Sequence, residues 1–571
     1  MTSQSSGETA APRAQRIGWA ILVIATLYIC YFSHLGVIGF VGPDEPRYAW
    51  IARDMAETGD WVTPRLYGKP WFEKPPLLYW GGAIFFKLIG EQHPEVAARL
   101  PSAISALLAT LALAWLAWRT YGKECARWLL LLLPTSVGMI GFSHAAATDM
   151  PFAGMLTIAM VCAIVALQLV QSENVPVLPR TPWLALLLFG FFLGLAVLAK
   201  GPAAFILTGG AVFFWATFTK RWRDAFRLLH PAAIASFCLT ALPWYILCAR
   251  RNPDFFRIFI IEHNFKRYLT PQFQHLQPFW FYGVVLPVAF LPWTAAFIAA
   301  IILGLKKLRA FKQLRPITSL LLCWSAFCVV FFSISKSKLP GYILPAIPAA
   351  ALLIARACEI AVRERRRSLF YSSIASSIGF ALAAGFAGVA GRVLVSHSRA
   401  NGMALIAAAV ILFLFALASL FLWIATAKPH DSSDRSKAFA RSGMVVPLLI
   451  AILLAGRLEH WFFPRDPSGK TVATEIIAQG APPSRLAVKN MNRGMHYGMN
   501  FYLKQEISDW DSAHPIDGYL LSGARNCYGL ANDAVSCDAP AVFLERSHYY
   551  LLRVKPSFNG SGGSREPKKE E

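Results

Sequence analysis

Charge is scarce in this chain, and negative charge scarcest. Asp, Glu, Lys and Arg make up 15% of its 571 residues, well below the roughly one quarter usual in soluble domains, which excludes an ordinary soluble enzyme. There are 32 acidic residues against 55 basic ones, a net charge of +23. The excess does not indicate nucleic-acid binding, because the basic residues sit mainly in short loops between apolar runs, where insertion bias and anionic lipid account for them. Cysteine is sparse: ten in all, with no Cys-x-x-Cys metal spacing. Those in or beside apolar runs behave as small apolar residues. Cys527 and Cys537 lie in the C-terminal tail, where export would permit a disulfide. The chain also has no glycine-rich phosphate loop, no internal repeat and no small-residue cleavage site after its first apolar run. These absences exclude the common nucleotide-binding motifs and point away from a cleaved signal peptide.

What the sequence has in quantity is apolar length. Hydrophobic residues make up 56% of it. Runs of about 18–25 residues, the length that crosses a bilayer, recur from Trp19 to Trp461. They predict an all-α polytopic membrane bundle of about thirteen helices, at 17–40, 98–118, 126–144, 150–170, 183–199, 203–219, 230–249, 279–304, 317–334, 341–358, 369–391, 402–425 and 443–463. Arg13 and Arg16 place the N-terminus in the cytoplasm. Counting from there, the basic loops Arg119–Arg127, Lys220–Arg223, Lys306–Arg315, Arg363–Arg367 and Lys428–Arg441 all fall inside, and the chain after Arg465 falls outside.

The expected organisation is a cytoplasmic tail over 1–16, a membrane domain over 17–464, a small periplasmic α/β domain over 465–558 and an unpacked tail over 559–571. In the α/β domain, Thr471–Gln479 suits a helix, while Leu486–Val488 and Ala541–Leu544 suit strands. The outer loops 41–97 and 250–278 of the membrane domain carry the informative residues.

The first is Gly42-Pro43-Asp44-Glu45-Pro46-Arg47-Tyr48, two adjacent carboxylates between prolines where a span meets water. Pro46 is placed as the first residue of a short helix ending at Gly59, with Trp50, Ile51 and Met55 as an apolar stripe suited to the bilayer surface. Asp44 could merely cap that helix; this would explain one carboxylate, but not two followed by Arg47. A further outer acid is Asp149, in Thr148-Asp149-Met150-Pro151, which could also be a cap. One acid would suit a general base, the other a group that orients the acceptor or a cation.

A set of cations lies on the outer side, against the insertion bias: Arg47, Lys74 beside Glu73, Lys200, Arg267, and Lys336 and Lys338 in Ser335-Lys336-Ser337-Lys338-Leu339-Pro340-Gly341-Tyr342. Cations converging from separate loops suit a lipid phosphate; scattered contacts to ordinary headgroups are the alternative. Glu262-His263 has metal-capable groups, although a hydrogen-bonded surface histidine is the default reading. Trp61, Trp71, Trp80, Trp280 and Trp293 suit interfacial anchors.

Together these segments resemble the bacterial polyprenyl-phosphate-dependent glycosyltransferases of the GT-C fold, in particular the lipid A 4-amino-4-deoxy-L-arabinose transferases and their protein-mannosyltransferase-like relatives. The stretches that carry the resemblance are Pro43-Asp44-Glu45-Pro46-Arg47-Tyr48, Phe72-Glu73-Lys74-Pro75, Lys200-Gly201, Glu262-His263 and Lys336-Ser337-Lys338-Leu339-Pro340-Gly341-Tyr342. Two departures are Pro46, where the family often has Thr, and Asp149-Met150-Pro151, where it commonly has a plain Asp-Pro.

The resemblance implies a periplasmic active site on the bacterial inner membrane, transferring a sugar from undecaprenyl phosphate to lipid A or another envelope acceptor with inversion. It implies Asp44 and Asp149 as catalytic carboxylates, and Arg47, Lys74, Lys200, Arg267, Lys336, Lys338 and Tyr342 around the donor phosphate. Glu45, Tyr48 and Glu73 would support the acceptor or the site. No cofactor is required, with room for a divalent metal at His263. A flippase for lipid-linked sugars and a protein O-mannosyltransferase-like enzyme are the alternatives.

Overall fold

The computed structural model describes residues 13–90, 92–170, 182–266, 276–308, 314–364, 367–395, 398–427, 434–458, 466–511, 517–523, 535–537 and 541–556. Among the described residues ten helices are long and apolar enough to cross a membrane, eleven if one bent pair counts as a span; they include Pro94–Tyr121, Asp149–Ala166 and Trp183–Lys200. An integral membrane protein follows from their length and composition. Helix Asp149–Ala166 is apolar all round and almost wholly buried, the pattern of a helix at the centre of a bundle.

Each of the thirteen expected spans overlaps a helix, but helix Arg13–Tyr31 ends short of the expected 17–40, 341–358 opens on the turn Pro340–Ala346 ahead of helix Ile347–Arg363, and three others are not single long helices. Residues 203–219 form the 17-residue helix Ala203–Thr219. The 126–144 run is split into Lys123–Leu132 and Val137–Ser143, bent by 63°. Pro134 lies at the break, where its ring prevents continuation. Hydroxyls satisfy the freed carbonyls: Thr135 Oγ1 donates to Leu131 at 2.5 Å and Ser136 Oγ to Leu132 at 2.7 Å. The 279–304 run is likewise divided into Phe281–Ala289 and Thr294–Leu308, with Pro287 inside the first helix and Pro292 between the two. The two breaks meet. Val137 N–H donates to Leu291 O at 3.0 Å, and Trp293 Nε1 to Thr135 Oγ1 at 2.9 Å. Irregular backbone is tolerated at membrane depth where protein satisfies it in this way. Trp293 is therefore a core residue, 1% exposed, and not the expected interfacial anchor.

The loop after the first span holds more structure than its sequence suggests. Helix Asp44–Thr58 starts two residues before Pro46. The proline fits there because first-turn N–H groups have no intrahelical partner. Gly59 stops the helix with φ +74° and donates to Met55 O at 3.1 Å. Ile51 and Met55 are fully buried, so the stripe packs into protein and does not lie on lipid. A two-stranded hairpin follows, β1 (Arg65–Leu66) and β2 (Lys69–Pro70), turning through Tyr67 and Gly68 at positive φ. Then comes a helix, Leu77–Ile89, that the sequence reading missed.

The chain divides into two compact units, and the division falls inside helix Asp44–Thr58. One holds residues 1–37 and 51–462; the other holds 38–50 together with 463–571. The second unit contains a mixed sheet of β3 (Leu486–Lys489), β4 (Ser508–Asp509), β5 (Gly518–Ser522), β6 (Val535–Cys537), β7 (Val542–Leu544) and β8 (Tyr549–Pro556). Its order is β4-β3-β5-β8-β6, with β7 also on β8; β3 runs parallel to β4 and β5, and β8 antiparallel to β5. Helices Lys470–Ala478 and Arg493–Leu503 pack Val472, Ile476 and Met499 into a core with Val488, Leu521 and Leu551. Segment 38–50 joins this unit through Phe40, fully buried, whose ring meets Phe501 edge-on at 4.8 Å and stacks on Tyr502 at 5.9 Å. Of the tail cysteines, Cys527 lies outside the described residues and Cys537 ends β6.

Candidate active site

Two clusters collect most of the expected site residues, each within one unit. The first is built on the start of helix Asp44–Thr58. Asp44 is half exposed and paired with the nearly buried guanidinium of Arg47. Arg47 Nε also donates to Pro43 O at 2.8 Å, and its guanidinium lies 5.9 Å from the Tyr48 ring and 5.3 Å from the Tyr497 ring. Glu45 is buried and accepts the Val41 N–H at 2.8 Å. It thus ties the helix start to the preceding loop and leaves Asp44 as the carboxylate that faces water. Tyr48 is buried beside them. A carboxylate held by an adjacent guanidinium, yet open on one side, can accept a proton or orient a polar group.

The second cluster lies in the membrane unit. Asp149, in the first turn of its helix, receives a hydrogen bond from Lys200 Nζ at 2.5 Å. The N-cap position is Thr148, and Asp149 is the first residue inside the helix, so the expected N-cap role does not fall on it. Lys200 comes from the last turn of helix Trp183–Lys200, where a cation also complements the helix dipole. Its ammonium stands 4.6 Å from the Tyr342 ring and 5.6 Å from that of Phe152. Gly341 makes the approach feasible: a Cβ there would lie 2.5 Å from Asp149 Oδ1. Tyr282 Oη donates to Leu339 O at 3.0 Å and braces the same turn.

Glu73 and Lys74 are mostly buried and paired with each other at 3.4 Å. Lys338 is buried, its ammonium donating to Ser335 O at 2.6 Å and Gln277 O at 3.0 Å. Among the described residues no carboxylate pairs with it. Burial pushes its pKa below the ordinary lysine value, and neighbouring Lys336 acts in the same direction. Lys336 and Lys338 line a cavity of about 700 Å³ walled by Phe279, Trp280, Val330 and Ile334.

Arg267 lies outside the described residues. His263 sits on the helix Arg257–Lys266, where its neighbour Glu262 is paired with Arg257 at 2.8 Å. Among the described residues no three His, Cys, Asp or Glu side chains gather as a metal would need, so the metal reading of His263 gains nothing from its surroundings. The sequence reading missed Arg493, Tyr497 and Gly341 as site-shaping residues. The first two are more than four hundred residues from Asp44, and no local pattern marks them.

The dolichyl-phosphate-mannose-protein mannosyltransferase family profile matches residues 18–259. Similar in sequence is an undecaprenyl phosphate-alpha-4-amino-4-deoxy-L-arabinose arabinosyl transferase of Serratia proteamaculans (strain 568). It is 32% identical over 361 residues, 63% of this chain and 62% of that protein. The match thus spans less than two thirds of that relative's length. The protein of that name from Pectobacterium carotovorum subsp. carotovorum (strain PC1) is 31% identical over 443 residues, 76% of this chain and 75% of its own length. Among solved structures, the crystal structure of ArnT from Cupriavidus metallidurans bound to undecaprenyl phosphate superposes with a TM-score of 0.73 at 25% identity, covering 94% of this chain and 98% of that one. The long alignment to the Pectobacterium protein, added to a shared helical bundle with a C-terminal sheet, establishes that this chain belongs to the undecaprenyl phosphate-alpha-4-amino-4-deoxy-L-arabinose arabinosyl transferase family of GT-C fold proteins.

Proposed function

We propose that this chain is a glycosyltransferase of a bacterial inner membrane, with a cytoplasmic N-terminus and a periplasmic C-terminal domain. It moves 4-amino-4-deoxy-L-arabinose, or a related sugar, from undecaprenyl phosphate to lipid A or another envelope acceptor. The observation that carries this is the half-exposed Asp44 carboxylate held by the buried Arg47 guanidinium, in a chain whose relatives are named for that transfer.

On this reading Asp44 positions the acceptor oxygen and takes its proton where it carries one. The oxygen attacks the anomeric carbon from the face opposite the phosphate; the carbon–oxygen bond to the donor breaks and its electron pair leaves on undecaprenyl phosphate. The departing group is already an anion and needs neutralisation more than a proton. Lys74, Lys200, Lys336, Lys338, Arg267 and Tyr342 supply this. Asp149 is committed to Lys200, so its role is to aim that cation, and Asp44 is left as the acceptor-side carboxylate. The prenyl chain stays in the bilayer throughout, so its hydrophobic burial costs the protein little.

The test is transfer by purified protein in lipid vesicles containing labelled undecaprenyl-phosphate sugar and lipid A, read by mass spectrometry of the acceptor. Wild type should add one sugar mass and Asp44→Asn should not, while both retain donor binding. Donor translocation without any mass increase on lipid A or other envelope acceptors, equal in both proteins, would instead indicate a flippase.

A further inference from the structure

We infer that Tyr497, on the C-terminal domain's helix Arg493–Leu503, is a positioning residue for the Arg47–Asp44 pair. This makes the C-terminal domain part of the catalytic apparatus. The inference rests on the role given to Asp44 above.

The geometry lies wholly within the unit formed by residues 38–50 and 463–571. The Asn492 side chain caps helix Arg493–Leu503 by accepting the Gly494 N–H at 2.9 Å. The first turn of this helix lies against the loop that precedes Asp44: a Cβ at Gly494 would come within 3.0 Å of Gly42 Cα and carbonyl carbon. A side chain there would force the Gly42 backbone to give way by a few tenths of an ångström. At the other end of the helix, Phe501 and Tyr502 clamp Phe40, and Tyr502 Oη accepts the Phe40 N–H at 3.1 Å. The helix is thus fixed at both ends to the segment that carries Asp44 and Arg47.

Tyr497 lies between these anchors, with two guanidinium groups beside its ring, Arg47 at 5.3 Å and Arg493 at 5.5 Å. Arg47 donates to Pro43 O and to the Asp44 carboxylate, and a planar guanidinium bonds through its edge while stacking through its face. The edge contacts turn the Asp44 carboxylate; the ring contact helps set the plane in which the edge lies. A long, rotamer-rich side chain held at its edge alone has more orientations available, and the carboxylate it carries has them too.

The experiment uses the full-length protein in vesicles with the labelled donor and lipid A, at saturating and limiting donor. Tyr497→Phe keeps the ring and should retain wild-type kcat. Phenylalanines of increasing fluorination at 497 keep the shape but drain the ring face. Their kcat should fall stepwise, by a total of about 2- to 30-fold, with the donor KM unchanged. Tyr497→Leu should fall at least as far. A fluorinated series with constant kcat, or Tyr497→Phe as impaired as Tyr497→Leu, overturns the inference. If the leucine variant does not fold, the fluorinated series decides alone. Asp44→Asn is assayed alongside. If it transfers normally, the role of Asp44 fails and takes this inference with it. If it is inactive while the fluorinated series is flat, only the positioning role fails.

Discussion

Asp149 and Lys200, 51 residues apart in sequence, meet at 2.5 Å with side chains only 19% and 13% exposed. A pair this buried stabilises by being complete, since each member alone is an uncompensated charge. Asp149→Asn should therefore lower stability by about 3–5 kcal/mol, and Lys200→Met by a similar amount. The double variant should recover most of that loss, measured by thermal unfolding in one detergent. Transfer activity should not recover with it, because the double variant lacks the cation assigned to the donor phosphate. Recovery of both together would make the pair purely structural.

Gly341 allows that pair to sit where it does. The Cβ of Gly341→Ala would lie 2.5 Å from Asp149 Oδ1, and the turn Pro340–Ala346 is buried over much of its length, so one of the two must move. Overpacking of this kind costs about 1–3 kcal/mol. Activity should drop further than stability, because the shift displaces Tyr342 relative to Lys200. Wild-type kcat in a destabilised Gly341→Ala protein would dissociate the turn from catalysis.

Much of this was legible in the sequence. Apolar run length reported every span, because bilayer thickness acts on each helix separately. The Asp44 segment and the cations of the loops between spans stood out because charge near a membrane is costly. What escaped was non-local. The helix break at Pro134 is stable only because Leu291 and Trp293 of a distant segment complete it. Helix Leu77–Ile89, with Gly81 and Gly82 in it, is too short to register as a span. Tyr497 gains meaning only from Arg47, and no periodicity links residues so far apart.

Lys338 tests the donor-phosphate assignment. Its ammonium is buried against two neutral carbonyls, and burial, with Lys336 adding to it, holds its pKa below the ordinary lysine value of 10.5. The folded state therefore releases this proton more readily than the unfolded one. The penalty for the buried charge is present below the folded pKa and is relieved as pH rises through it. An anionic ligand has the opposite preference and needs the ammonium. Affinity for undecaprenyl phosphate should fall as pH rises through that depressed pKa, and Lys338→Met should abolish this pH dependence while leaving thermal stability equal or higher. Titration of the lipid by tryptophan fluorescence at several pH values measures it. An equal decline in Lys338→Met would assign the titration to another group.

Asp466 offers a test of the second unit that does not involve chemistry. Its carboxylate accepts the Ser468 N–H at 2.9 Å, the Ser468 hydroxyl at 2.6 Å and the Thr471 N–H at 2.9 Å, fixing the turn into helix Lys470–Ala478. Burial alone would raise its pKa, but these hydrogen bonds outweigh it and hold the group below the ordinary value of 3.8. A carboxylate depressed by folding contributes stability that is complete above the unfolded pKa and is lost as pH falls through the folded one. Amide exchange protection of helix Lys470–Ala478 in the intact protein should thus hold at neutral pH and weaken as pH falls below the ordinary carboxylate value of 3.8. Asp466→Ala should cost about 1–2 kcal/mol of that protection at neutral pH and remove the acid dependence. An acid dependence that survives the substitution would show that other carboxylates control the unit.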